Sequence, residues 1–401
     1  MESQQGSSKA IAISYAAFLG MGMQAGLLGL AWTPISQEFG QPLEAVGILL
    51  FAGTAGYLTS SFISGAMAHK VGYSRLFIAS AVIYLVGLIF GVFAPTWPLL
   101  ALAVMVMGAG SGSIDGSMNA YSAVHFGARA MNWLHACFGI GMTLSPLILT
   151  GLLTFASWRA GYAIVACVIA VVLGLFIWSR RIWGWPAEHA PEPGEVHRRG
   201  AIEALKSPLV WVSILLFVLY AGVEVTPGQW TFSLFTETRG ISATAAGFWV
   251  SFYWASFTIG RIAFGFVGNR WPIGSVLRVT MIGVVIGALL YWLNPFDGIG
   301  GIIGLGVMGF AQAPMFPFLV LNTPHVMGKV RASHAIGFQV AGAGLGVALV
   351  PSLAGLLAAQ VGLAVIAPFT FVVALLLFGV YELLNTMAAA RRRGLVAQAA
   401  D

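Results

Sequence analysis

Gly65-Ala-Met-Ala-His69-Lys70 closes one apolar run of this chain, and Gly265-Phe-Val-Gly-Asn269-Arg270 closes another 200 residues later. The same spacing separates Gly47 from Gly247, near the starts of the two runs. Further matches follow in order. Met107-Gly108 pairs with Met308-Gly309, His135-Ala136 with His334-Ala335, Pro146 with Pro351, and Gly151 with Gly355. Offsets drift from 199 to 205 across these pairs, which implies small insertions. One such match is cheap in a glycine-rich chain, but their shared order marks an internal duplication.

Composition says what is duplicated. Of 401 residues, 59% are hydrophobic and 8% are charged, against about 25% charged in a soluble domain. A bilayer span needs about 20 apolar residues. Twelve such runs lie near 10–35, 43–67, 76–94, 98–124, 132–156, 158–179, 208–236, 244–268, 277–293, 298–323, 334–358 and 362–386. The expected fold is an all-α membrane protein, with twelve transmembrane helices in two pseudo-symmetric six-helix bundles. The first run is too long for a signal h-region and reads as a retained helix. Cys137 and Cys167 both lie in apolar runs, which argues against a disulfide framework.

The basic residues set an orientation. With the N-terminus inside, 16 of the 19 Lys and Arg fall on the cytoplasmic side, Arg159 and Arg239 fall outside, and Arg261 lies within span 8. This is the positive-inside pattern, with both termini cytoplasmic. The +6 net charge therefore marks topology and contact with anionic lipid, not nucleic-acid binding. Residues 180–207, rich in charge and Pro, read as a cytoplasmic linker with a short amphipathic piece around Ile202–Leu205. It divides an N-terminal bundle (1–179) from a C-terminal one (208–386), and 387–401 reads as a basic cytoplasmic tail. Two six-span halves around a midplane site are a transporter architecture.

Asp115 and Glu224 sit inside spans 4 and 7. A charge at the bilayer centre costs about 2.5–3.5 kcal/mol on insertion scales, so such residues face a cavity or a partner and mark substrate or proton paths. Asn119 lies four residues after Asp115 and shares its helix face. Tyr220 stands in the same relation to Glu224, and Pro227-Gly228 follows, where a span can unwind. Gln229 and Trp230 beyond it can bind a polyhydroxylated solute by hydrogen bonding and stacking. Gln24, Gln312, Asn322 and Gln339 are further polar candidates, with interhelical hydrogen bonding as the alternative. Arg261 reads either as snorkelling inward or as the partner of a carboxylate. His135 and His334 read as helix ends near the gate loops, with proton relay as the alternative. The chain has no metal-ligand spacing, phosphate-binding glycine loop or nucleophile–base pair, so neither an enzyme nor a bound cofactor is expected.

Taken together, these stretches resemble the major facilitator superfamily across essentially the whole chain. Its loop signature, Gly-x-x-x-Asp-Arg/Lys-x-Gly-x-x-Arg/Lys, reads here as Gly65, His69, Lys70, Gly72 and Arg75, with His69 in place of the family's Asp. The resemblance assigns gating to Gly65, Lys70 and Arg75 and to their repeat partners Asn269 and Arg270. Four stretches are similar to the fucose-permease-like sugar:proton symporters. They are Gly112-Ser-Ile-Asp115-Gly-Ser-Met-Asn119, Asn132-Trp-Leu-His135-Ala-Cys-Phe138-Gly139, Tyr220-Ala-Gly222-Val-Glu224 and Ala313-Pro314-Met-Phe-Pro317. In the permease of that branch, carboxylates on spans 1 and 4 serve proton coupling. Asp115 matches the span 4 acid, while span 1 here holds Gln24 and no acid. Either Glu224 takes the second role or one carboxylate suffices.

The resemblance implies a monomeric, proton-coupled carrier of a sugar or related polar metabolite in a plasma membrane, such as a bacterial inner membrane. Its expected partners are a small-molecule substrate, protons and the bilayer. An efflux antiporter of the same fold is the first alternative, kept open by the abundance of Phe, Met and Trp. A transport-inactive sensor is the second.

Overall fold

The computed structural model describes residues 2–126, 128–183, 203–267, 271–296 and 298–400. Among them every regular element is helical. In chain order these are α1 (Glu2–Ala25), α2 (Leu28–Glu38), α3 (Val46–Val71), α4 (Tyr73–Val92), α5 (Trp97–His125), α6 (Ala128–Leu152) and α7 (Trp158–Trp178). Then come α8 (Pro208–Ser233), α9 (Ala243–Val267), α10 (Ile273–Leu293), α11 (Ile299–Gln312), α12 (Met315–Met327), α13 (Lys329–Val361) and α14 (Ile366–Ala400). Short one-turn pieces fill 43–45, 234–238 and 363–365. Among the described residues ten helices are long and apolar enough to cross a membrane, and α1 with α2 makes an eleventh if the bent pair is one span. The 25-residue α9, which carries Arg261, occupies the place of the expected eighth span.

Sequence chemistry ends these helices where it should. Gly72 adopts φ +79°, a left-handed backbone closed to most side chains, and its N–H caps α3 on the Ala68 carbonyl at 2.9 Å. Gly328, at φ +83°, separates α12 from α13 in the same way.

Three features depart from the sequence reading. The first apolar run is not one helix: it bends by 46° between α1 and α2. Gly26 sits in the bend, where a Cβ would strike the Met142 carbonyl and the Ser145 hydroxyl. The tenth run also breaks, at Ala313-Pro314, because proline has no N–H to continue the ladder. By contrast, α8 stays helical through Pro227-Gly228, so the unwound turn expected there is absent. Gly228 instead admits the Trp254 indole against the backbone. The residues read as a basic tail are helical to Ala400, a point on which the sequence reading made no statement.

The chain forms two compact units. The first comprises Met1–Ala190, Gly228–Thr258 and Gly355–Ala364. Its core is aromatic: Phe77 stacks on Phe176 at 5.3 Å and meets Trp183 edge-on at 4.9 Å. At the far end of α2, Glu38 binds Arg159 at 2.8 Å and accepts from the Trp158 indole at 2.7 Å, while Arg159 also donates to the Ala94 carbonyl. The second unit comprises Pro191–Pro227, Ile259–Ala354 and Val365–Asp401. There Gly287 and Gly304 bring α10 against α11, and Arg278 grips Glu382 through two contacts of 2.6 and 2.9 Å. Arg278 is exposed, so solvent screening leaves that pair little weight in stability.

Small residues decide the closest pairing in the first unit. Gly108, Gly112 and Gly116 recur every four residues along one face of α5. A Cβ on Gly108 would meet the Gly53 carbonyl, and one on Gly112 would meet the backbone of Tyr57. Without a hydrophobic force between helices in lipid, such backbone approach is what holds α3 to α5. Gly112→Ala should therefore lower the thermal midpoint of purified protein, at an over-packing cost of about 1–3 kcal/mol. A Cβ on Gly65 meets nothing within 4 Å, so Gly65→Ala should leave that midpoint unchanged. Equal effects of the two substitutions on a detergent melting curve would refute the seam.

Candidate functional site

The α3–α5 seam fixes the first acid. With the backbones in contact, Asp115 on α5 stands opposite Tyr57 on α3. The Tyr57 hydroxyl donates to Asp115 Oδ2 at 2.6 Å, and Asn119 Nδ2 donates to Oδ1 at 3.1 Å. The expected shared face of Asp115 and Asn119 is thus realised as a direct hydrogen bond. Asn119 Oδ1 is buried and has no partner among the described residues. Ser60 donates to the Tyr57 carbonyl at 3.1 Å, and the hydroxyls of Ser61 and Ser64 lie where a Cβ on Gly116 would fall, at 2.8 and 2.7 Å. The acid is therefore surrounded by hydroxyl and amide groups.

Sequence reasoning missed Tyr57. A signal was present: small residues at 53, 56, 60, 61 and 64 surround it, matching the glycine spacing on α5.

In the second unit, Glu224 on α8 accepts from the Tyr220 hydroxyl one turn earlier. Arg261 of α9 acts on Glu224 through its charge, which favours the carboxylate-partner reading of that arginine. The ring of Tyr220 lies 6.1 Å from Phe316 of α12, and Phe217 meets the same ring edge-on at 5.7 Å. Gly222 lets Val350 of α13 press against α8. One turn before Phe316, at the α11–α12 break, Gln312 is fully buried. Both its amide oxygen and its amide nitrogen lack a partner among the described residues. Leaving a buried polar group unfilled costs about 1–3 kcal/mol, which water or a solute would recover.

The remaining candidates separate. Gln339 is not free for a ligand: its Oε1 accepts from Thr323 at 3.0 Å, within the second unit. Trp230 is fully buried in the first unit, its ring filled in by Gly355, so it packs and does not present a stacking face. Gln229 is 5% exposed, and its Nε2 has no partner among the described residues. It lies beside Gly29 of α2, whose missing Cβ admits the Gly228 carbonyl. Gln24 is half-buried, one residue before the end of α1.

Ser145 of α6 and Ser251 of α9 are further buried hydroxyls without partners among the described residues, and the sequence reading passed over both. Gly139 meets Thr258 and Gly247 meets Thr150, so the register between these contacts sets Ser145 level with Ser251. Gly65, Lys70 and Arg75 are exposed. Asn269 and Arg270 lie outside the described residues, as does the side chain of His334. His135 is half-buried and meets Phe18 edge-on at 5.7 Å.

The comparisons with known proteins agree with this architecture. The family model "Major Facilitator Superfamily" matches residues 14–330. The glucose/mannose transporter GlcP of Bacillus subtilis (strain 168) is 23% identical over 344 residues, covering 80% of this chain and 82% of that one. The sodium-dependent glucose transporter 1A of Mus musculus is 24% identical over 376 residues, covering 86% and 88%. Among solved structures, the Escherichia coli fucose:proton symporter FucP superposes with TM-score 0.63 at 14% identity, covering 93% of this chain and 98% of that one. The helices, the buried acids and the matching model together establish a multi-pass membrane transporter: the chain belongs to the major facilitator superfamily.

Proposed function

We propose that this protein is a proton-coupled secondary transporter that moves a sugar or a related polar metabolite by alternating access between two six-span halves, 1–179 and 208–386. The observation that carries the reading is Asp115, an acid inside a span whose two oxygens accept from Tyr57 and Asn119. Protonating either oxygen forces one donor to leave or turn, so the charge state of Asp115 is tied to the packing of the α3–α5 seam. Glu224, with Tyr220 and Arg261, is the second coupling carboxylate. The unfilled amides of Gln312 and Gln229 are sugar-binding groups, since each can exchange hydrogen bonds with hydroxyls in both directions. Similarity to a glucose/mannose transporter and to a sodium-dependent glucose transporter supports a hexose-like cargo. Both termini face the cytoplasm of a plasma membrane, and Gly65, Lys70 and Arg75, with Asn269 and Arg270, form the inner gate.

A second reading keeps the site and changes the ion. The oxygens of Asp115, Asn119 and the nearby serines are the hard donors that a group I or II cation takes. The unfilled Oδ1 of Asn119 and the sodium dependence of the mouse relative favour sodium in that role.

One experiment separates the readings. Purified protein is first assayed for binding against a panel of sugars and organic acids, where hexoses should bind and organic acids should not. Reconstituted vesicles then receive either a proton gradient in sodium-free buffer or a sodium gradient at equal pH. Accumulation driven by the proton gradient alone supports the leading reading. Accumulation only with sodium supports the second. Hexose binding with no response to either gradient rejects both.

A further inference from the structure

Where residues 203–207 enter α8, the second unit holds a cavity of about 380 Å³ that the transport mechanism does not use. Its polar wall carries Glu203, Lys206 and Arg391, and its apolar wall carries Pro208, Leu209 and Met387. Both flanking helices are membrane spans, Pro208–Thr238 and Leu363–Arg391, so the cavity sits at one membrane face. Trp211 marks the height of that face. Its ring is 58% exposed while its indole N–H is tied to the Leu205 carbonyl at 2.8 Å, the amphipathic posture of an interfacial tryptophan. A cavity half polar and half apolar at this height fits the join between a lipid headgroup and its chains.

The charges narrow the headgroup. Lys206 and Arg391 contribute two positive charges, and Glu203 removes one, paired with Lys206 at 2.8 Å. That hydrogen bond and the Glu203 charge push the Lys206 ammonium upward, so its charge persists at any physiological pH. Among the described lining residues the net charge is a single positive one, which matches one phosphodiester. The carboxylate disfavours a multiply charged phosphate, and a carboxylate accepts from more than one donor at a time, headgroup hydroxyls included.

We propose that this cavity binds the headgroup of an anionic glycerophospholipid of the phosphatidylglycerol type. The phosphodiester lies on Arg391 and Lys206, the headgroup hydroxyls reach Glu203, and the glycerol backbone rests on Pro208, Leu209 and Met387. Bound lipid then clamps the linker to the ends of α8 and α14. A water-soluble phosphodiester offers the same charge without the chains, and the apolar wall argues for the lipid.

The test is native mass spectrometry of the purified full-length protein with dioleoyl phosphatidylglycerol, phosphatidylcholine and phosphatidylethanolamine. Phosphatidylglycerol should be retained in preference to the other two. The Lys206→Gln, Arg391→Gln double variant should lose about thirtyfold in that retention, at about one kcal/mol for each basic residue near an anionic surface. Its lipid-free melting midpoint should match the parent, since both side chains border the cavity and not the core. Should that variant fold poorly, Glu203→Gln gives an independent gain: it should admit the doubly charged phosphatidic acid. Retention of phosphatidylcholine or phosphatidylethanolamine equal to phosphatidylglycerol overturns the proposal, and so does undiminished retention by the double variant. Displacement of the lipid by equimolar glycerophosphoglycerol would assign the cavity to a soluble phosphodiester and overturn the lipid.

Discussion

Asp115→Asn should leave substrate exchange across the membrane intact and reduce gradient-driven accumulation to near background. Asparagine keeps the size and planarity of the acid, and the Asn119 amide can turn to offer its oxygen to the new NH2, so the fold should survive in the packing of the neutral state. The substituted amide mimics that neutral state permanently. Tyr57 can still donate to the amide oxygen, as it does now to Asp115 Oδ2 at 2.6 Å. What disappears is the alternation of charge, and with it the link between ion entry and solute movement. Counterflow of labelled solute in reconstituted vesicles reports exchange, and uptake under an imposed gradient reports coupling. Equal loss of both would make Asp115 a binding or structural residue instead. Tyr57→Phe is the companion variant. It removes a hydrogen bond to a charged acceptor, worth about 1.5–3 kcal/mol. It should weaken coupling while leaving Asp115 able to titrate, and so shift the pH dependence of accumulation without abolishing it. If Tyr57→Phe instead reproduced the full Asp115→Asn loss, the tyrosine would belong to the ion path itself.

Much of this arrangement is legible in the amino-acid sequence. Acids inside apolar runs are costly, and a helix repeat of 3.6 sets residues four apart on one face, so Asp115 with Asn119 and Glu224 with Tyr220 followed from spacing alone. The order of helices followed from hydropathy, because a bilayer leaves the backbone few other options. The partners across helices were not legible. Tyr57 is 58 residues from Asp115, and their contact depends on how closely two backbones approach, which the glycine spacing hints at but does not pair. The breaks were only half legible. Proline marks the one at Ala313-Pro314, yet Pro227 lies inside an unbroken helix. A missing N–H removes one hydrogen bond, and whether the helix opens depends on what packs around it. At Gly228 the Trp254 ring fills the space that an opened turn would need. Trp230 was ambiguous for a related reason: an aromatic side chain in a span can face a solute or fill a gap beside a glycine, and its packing against Gly355 was not readable from spacing.

Glu224→Gln should flatten the pH dependence of substrate binding while folding and membrane insertion remain normal. Span 1 contains no acid, whereas the fucose-permease-like resemblance calls for one there, so a second titrating group within the spans comes from elsewhere or does not exist. Glu382 is already gripped by Arg278 at 2.6 and 2.9 Å and is exposed to the surroundings of α14. Glu224 has instead a tyrosine hydroxyl and the charge of Arg261, an arrangement in which loss of the acid's charge removes a favourable interaction with the arginine inside a span. Protonation of Glu224 therefore changes the local field at the level of Tyr220, and with it the geometry offered to a solute. Glutamine keeps the shape, keeps an oxygen for Tyr220 and removes the titration. Buried groups can depart from their reference pKa values by up to about 3–5 units at the extreme, so affinity measured in detergent from about pH 5 to about pH 9 spans the relevant window. Arg261→Gln in the Glu224→Gln background gives the internal check. If the pair acts as a unit, the second substitution should add less than it costs alone, because the arginine has already lost its counter-charge. A binding curve whose pH dependence survives Glu224→Gln would leave Asp115 as the sole coupling carboxylate and make the Glu224–Arg261 pair a tie between α8 and α9.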